Sequence, residues 1–143
     1  MEKRLSLKQK DRIARSVYKN YQRAQLDILY LTQHYNYYPQ IDLFKVKDAG
    51  ALYKNGDEAF LQHIERKQQL ESFVGIVNQI HTHLSRESYS FIENEYLNFY
   101  SSTWWMPYFS RATYYRIKHK ALNELMEYAM TFWDEEEILS LLL

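Results

Sequence analysis

The sequence predicts an all-α fold, a helical bundle with two long helices and a C-terminal helix-turn-helix. Three observations carry this. Only 3 Gly and 2 Pro interrupt 143 residues, so long helices meet few breakers. Apolar residues recur at three- and four-residue steps over long stretches. Ser and Asp stand just ahead of several of these stretches, where a side-chain oxygen caps the free N–H groups of a first helical turn.

Residues 7–38 read as one helix. Ala14, Val17, Tyr21, Ala24, Ile28, Leu31, Tyr35 and Tyr38 follow alternating three- and four-residue steps, the seam of a coiled coil or a long bundle helix. Pro39 ends it, because the residue before a proline is driven out of the α region. Small residues at 14 and 24 leave room for a close partner helix, so the seam is either an intramolecular core or a homo-oligomer interface. Residues 40–56 have no clear assignment. Ile41, Leu43, Phe44, Val46 and Leu52 suit an extended or a short helical segment, and Asn55-Gly56 marks a turn.

Asp57 is expected to cap a second long helix reaching Leu84. Its apolar face is Phe60, Ile64, Leu70, Phe73, Val74, Val77, Ile80 and Leu84. Ser85 is expected to cap a third helix over 86–100, with Tyr89, Ile92, Tyr96 and Phe99 on one side. Ser101-Ser102-Thr103 breaks that helix, and a short turn or helix follows at Trp104 to Phe109. Ser110 then caps a long helix over 111–133, with Tyr114, Ile117, Ala121, Leu125, Tyr128 and Phe132 as its core stripe. Asp134 caps a last short helix whose first turn is acidic, as the helix dipole favours. Ile138, Leu141 and Leu142 follow. The regions are therefore 1–84, a long-helix arm with an expected oligomerisation role; 85–133, the helix-turn-helix; and 134–143, an acidic, Leu-rich C-terminal helix.

The formal net charge is zero, which argues against a strongly basic nucleic-acid coat protein, but the charges are segregated. Residues 1–55 hold 11 Lys/Arg against 5 Asp/Glu, and residues 57–100 hold 3 against 7. Residues 110–120 hold 4 against none, and 121–143 none against 6. With no cysteine there is no disulfide, thiolate nucleophile or Cys-based zinc site, which fits a cytoplasmic protein. No membrane span or signal peptide is expected. His81 and His83 are two residues apart and point to different helix faces. His34, His63 and His119 lack ligand spacing, so neither a metal nor a cofactor is expected. No nucleophile pair, facing carboxylates or glycine-rich phosphate loop stands out, so no enzymatic activity is expected.

The first half of helix 111–133 is the most informative stretch. It carries Arg111, Arg116, Lys118 and Lys120 with no acid from Ser110 to Lys120. A helix with one face anchored in a core and a cationic face open suits the major groove of double-stranded DNA. Arg111 and Arg116 are the candidates to approach bases, and Thr113, Tyr115 and Lys118 the backbone. Four neutralised phosphates would give log K a slope against log salt of about −3.6. The same charges would equally serve as a solvated face paired with neighbouring acids. Trp104 and Trp105 are expected to lock the preceding segment into the core; stacking on bases is their other use.

The run Ser110-Arg111, Ile117, Lys120-Ala121-Leu122 and Leu125 resembles the second half of the helix-turn-helix in region 4 of bacterial sigma factors. Trp104-Trp105 with Ser110, Arg111, Thr113, Tyr114, Tyr115 and Arg116 looks still more like the ArpU-type phage transcriptional regulators and related small mollicute proteins. The resemblance covers under a third of the chain. It implies a non-enzymatic DNA-binding transcriptional regulator, with Arg111, Ala112, Tyr115 and Arg116 at positions that touch bases or nearby phosphates, and RNA polymerase as a further partner. Ala112 and Tyr115 depart from the usual sigma residues, so the common promoter specificity is not implied. Pro107 departs too, because it removes an N–H from the first helix of the motif. The alternative is a helical interaction or scaffold protein, oligomeric or bound to RNA polymerase, whose helix-turn-helix no longer binds DNA.

Overall fold

The three- and four-residue spacing becomes helix over most of the computed structural model, which describes residues 5–36 and 53–140. The described residues are all-α, with no strand among them. Helix α1 is Leu7–Asn36 and α2 is Tyr53–His83. Helix α3, Arg86–Ile92, continues into a π-helical turn, Glu93–Leu97. Helix α4 is Arg111–Phe132 and α5 is Glu135–Ser140. The chain divides into two compact units, one of Met1–Gln22 with Ile76–Leu143 and one of Arg23–Gly75.

Local chemistry sets most of the boundaries. A reciprocal box opens α1: the Gln9 N–H donates to Ser6 Oγ (3.2 Å) and the Ser6 N–H to Gln9 Oε1 (2.9 Å), satisfying two donors at the helix start. Asp134 and Glu137 form the same kind of box at α5, where the Glu137 N–H donates to Asp134 Oδ1 at 2.8 Å. Ser85 and Ser110 cap α3 and α4 as their sequence positions suggest.

Two expectations are corrected. Asn55-Gly56 is not a turn and Asp57 is not a cap, because α2 already begins at Tyr53. A glycine costs a helix about 1 kcal/mol, and a ladder 31 residues long absorbs that. The third helix does not reach residue 100. The Asn98 N–H donates to the carbonyl of Glu93 (2.6 Å), a wider π-type closure, and Asn98 leaves the helical region. Phe91, Ile92, Glu95 and Tyr96 are buried up to that point, and Phe99, beyond it, is half exposed. The conformation of 40–52, the end of the first helix at Pro39, Tyr38 of its seam, and Leu141 and Leu142 lie outside the described residues.

In the first unit, Ala14, Val17 and Tyr21 are buried as the seam requires, joined by Ile13 and Tyr18. From α2 come Val77 and Ile80, with Leu84 just beyond its end; from α4, Tyr114, Ile117, Ala121, Leu122, Leu125, Met126 and Ala129; from α5, Ile138. Helix α3 packs against α4, and a carboxylate fixes the pair. Glu124 on α4 accepts from the Ser85 N–H (2.8 Å), Ser85 Oγ (3.0 Å) and Ser88 Oγ (2.6 Å). Burial works to raise the Glu124 carboxyl, but those bonds and Lys120 bring it below its ordinary value. In the second unit, Ala24 and Leu31 are buried while Leu26, Leu29, Tyr30 and Leu61 are exposed.

Tyrosines in a core need partners for their hydroxyls, and the first unit supplies them. Tyr21 donates to Asn78 Oδ1 (2.6 Å), and Tyr18 Oη shares a hydrogen with His81 Nε2 (2.9 Å). The His81 ring stacks on Tyr18 and sits against Tyr21 and Tyr89. Burial disfavours its imidazolium and lowers its pKa. The unfolded chain therefore takes up this proton first as pH falls, and stability declines below about pH 6.5 until the folded state is protonated too. Thermal melts between pH 7.5 and 5.5 are expected to show a falling midpoint, and His81→Gln is expected to flatten that dependence. An equally steep dependence in the variant would remove His81 as its source.

Candidate nucleic-acid interface

The basic helix rests on an aromatic footing with an acid at its centre. Tyr114, in the first turns of α4, is buried. Its ring stacks on Trp105 at 4.6 Å and packs against Phe91 and Trp104. Its hydroxyl donates to Glu95 Oε2. Glu95 lies in the π-helical turn and is only 2% exposed. Its other oxygen accepts a longer bond from Trp104 Nε1 (3.4 Å). Burial and the adjoining carboxylate push the Tyr114 hydroxyl well above the usual phenol range, so it stays a donor.

Trp104 and Trp105 are half-buried and belong to this footing. The segment that holds them is a run of turns. Trp104 N–H donates to the carbonyl of Ser101, Met106 N–H to Thr103, and the N–H groups of Tyr108 and Phe109 to Trp105. Pro107 has no N–H to extend the ladder. The short first helix that a helix-turn-helix places here does not form, and α3 reaches α4 through this aromatic segment.

The five candidate residues divide into three groups. Arg111, Tyr115 and Arg116 are on the exposed side of α4. The Arg111 guanidinium lies over the Tyr115 ring at 5.9 Å, and it forms no ion pair among the described residues. Arg116, 62% exposed, meets Glu87 of α3 at the long distance of 3.8 Å. Thr113 is half-buried and tied into the cap. Its N–H donates to Ser110 Oγ (3.2 Å), and that hydroxyl donates to Thr113 Oγ1 (3.0 Å). Lys118 is turned inward. Its side chain is 11% exposed, its ammonium is 3.2 Å from Asp11 Oδ1, and it lies over the Tyr114 ring. Lys120, 46% exposed, donates to Glu87 at 3.2 Å.

Asp11 of α1 is the acid that sequence reading missed. It accepts from Tyr96 Oη (2.7 Å) and Arg15 Nε (2.9 Å) and pairs with Lys118. Burial works to raise its carboxyl; the bonds from Tyr96 and Arg15 and the charges of Lys118 and Arg15 outweigh it, leaving the pKa below 3.8. The helical spacing Asp11–Arg15 was visible in sequence, but the approach of Lys118 and Tyr96 is tertiary. Among the described residues, no group of three metal-capable side chains converges, and no helix is long and apolar enough to cross a membrane.

A carboxyl with a depressed folded-state pKa contributes stability above its unfolded pKa and loses it as pH falls. Asp11→Asn is therefore expected to destabilise the protein by about 1–3 kcal/mol at pH 7. The gap to the wild type should close in denaturation curves taken below about pH 4. A gap that stays constant with pH would mean that the charge of Asp11 is not what matters.

No protein-family model matches this chain, and no curated protein or solved structure is similar enough to match it.

Proposed function

We propose that this protein is a non-enzymatic DNA-binding transcriptional regulator that lays the first half of α4 in the major groove. The observation that carries the reading is the exposure of Arg111 and Arg116 on a helix whose core-facing side is anchored by Tyr114 on Glu95. A rigid helix with exposed, loosely held guanidinium groups loses little side-chain entropy on docking beyond that of the arginines themselves. Arg111 and Arg116 approach base edges, where a guanidinium pairs with guanine O6 and N7. Tyr115 shields and orients Arg111. Lys120 offers a phosphate contact in place of Lys118, whose ammonium is committed to Asp11. Thr113 acts through the Ser110 cap and the phosphate nearest the helix start. RNA polymerase is the partner that a regulator resembling sigma region 4 would share with DNA.

A second reading, a helical interaction or scaffold protein, draws on a separate observation. Leu26, Leu29 and Tyr30 of α1 are 67%, 54% and 65% exposed, and their spacing puts them on one helix face. The seam expected to mediate self-association is itself buried at Ala14, Val17, Tyr21, Ala24 and Leu31. A contact with another protein through this helix would therefore use the Leu26 face.

With Arg111, Arg116 and Lys120 as the three outward cations, duplex binding is expected to weaken with a log–log salt slope of about −2.7. Replacing Arg111 and Arg116 together with Ala should cost at least about 1–3 kcal/mol of affinity in a fluorescence-anisotropy titration. Affinity unchanged by the double substitution, or by salt, would favour the scaffold.

A further inference from the structure

Beside the basic face is a half-open cleft of ≈ 410 Å³, within the range of about 300–1,000 Å³ that small-molecule sites occupy. Its walls are aromatic: Phe91 of α3 and Trp104, Tyr108 and Phe109 of the turn segment. Ile117 of α4 also lines it, with Ser90 and Asn94 on the polar side. The Phe91 and Trp104 rings are 5.7 Å apart and tilted, and Trp104 meets Phe109 edge-on at 6.3 Å. Tyr108 is 75% exposed. Offset and edge-to-face packing against such rings favours a flat aromatic guest.

Among the described residues, Glu87 is the one charged residue that lines the cleft, and two cations meet it from outside the lining, Arg116 and Lys120. The same oxygen, Oε1, lies 3.2 Å from Lys120 Nζ and 3.8 Å from Arg116 Nη1. One carboxylate faces two cations, so this edge of the cleft keeps an excess positive charge. All three side chains are well exposed, and Glu87 holds Arg116 only loosely. An anion entering the cleft would find a guanidinium and an ammonium one side chain away, both able to turn toward it.

We propose that the cleft binds a small planar aromatic anion, its ring seated among Phe91, Trp104, Tyr108 and Phe109 and its carboxylate or phosphate held by Arg116 and Lys120. Asn94 adds polar specificity. Its Nδ2 donates to the Ser90 carbonyl (2.9 Å), which leaves Oδ1 to accept from a ring N–H or an exocyclic amino group. Aromatic carboxylates and nucleoside monophosphates share this chemistry. The site stands on its own geometry; its consequence rests on the DNA-binding reading. A bound anion would occupy two of the three outward cations, so ligand and duplex would antagonise each other, each lowering the other's affinity by the same factor.

Calorimetric titration of the full chain tests the site without DNA. The probes are indole-3-acetate and adenosine 5′-monophosphate, each with its uncharged counterpart, indole-3-ethanol and adenosine. At least one anion is expected to bind with one-to-one stoichiometry, about tenfold tighter than its neutral counterpart, as a charged hydrogen bond implies; which one identifies the ligand class. Joint replacement of Arg116 and Lys120 by Ala should erase that preference. Ser90→Trp, at an exposed position on the cleft wall, should abolish binding while leaving the far-ultraviolet dichroism unchanged. The proposal is overturned if neither anion binds at millimolar concentration, if charge makes no difference, or if folded Ser90→Trp binds as the wild type does. Competition between a binding anion and duplex DNA is a separate measurement. Its failure would sink the antagonism while leaving the ligand site in place; absence of duplex binding in the same assay would sink the DNA reading alone.

Discussion

The arrangement of the basic helix depends on one buried carboxylate. Glu95 is almost fully withdrawn from water, and an acid so placed is tolerated only with donors aimed at it. Tyr114 and Trp104 are those donors. Each comes from a different part of the chain, one from the start of α4 and one from the turns before it. Satisfying Glu95 therefore fixes the rotation of α4 about its own axis. With Tyr114 turned inward, Arg111, Tyr115 and Arg116 are held on the exposed side of the helix. A change in that single hydrogen bond would reach every residue of the candidate surface.

Three further acids decide what the cations of α4 are free to do. Asp11 takes Lys118 out of the solvent-facing set and joins the N-terminal part of α1 to α4. Glu124 grips the start of α3 through Ser85 and Ser88, so the two helices cannot slide along each other without losing three hydrogen bonds. Glu87 holds Arg116 and Lys120 in exposed pairs, and pairs of that kind are worth little in water. The graded strength of these contacts sorts one basic run into structural and available charges. Arg111 is the most available, resting only against Tyr115 among the described residues.

Much of the fold was legible in the sequence, because helix period and capping are local. The Ser85, Ser110 and Asp134 caps and the stripe from Tyr114 to Leu125 needed only spacing and side-chain type. Asn55-Gly56 misled because a turn-forming pair says nothing of the long ladder around it. The end of the third helix escaped because the π closure at Asn98 is a matter of backbone geometry, with no residue signature. At the site, Arg111 and Arg116 are exposed, as charged residues off the apolar stripe of a helix are expected to be. Lys118 did not read as an inward cation, nor Glu95 as the anchor. Both are settled by partners, Asp11 and Tyr114, that lie 107 and 19 residues away in the chain.

The central claim is that Glu95 and Tyr114 act as one unit, and a double-mutant cycle measures that unit directly. Stability would be determined by denaturant unfolding for the wild type, Glu95→Gln, Tyr114→Phe and the double variant. If the hydrogen bond fixes α4, the two effects are far from additive, with a coupling energy of about 1 kcal/mol or more. Strict additivity would mean that the pair does not hold the helix, and the outward setting of Arg111 and Arg116 would need another cause.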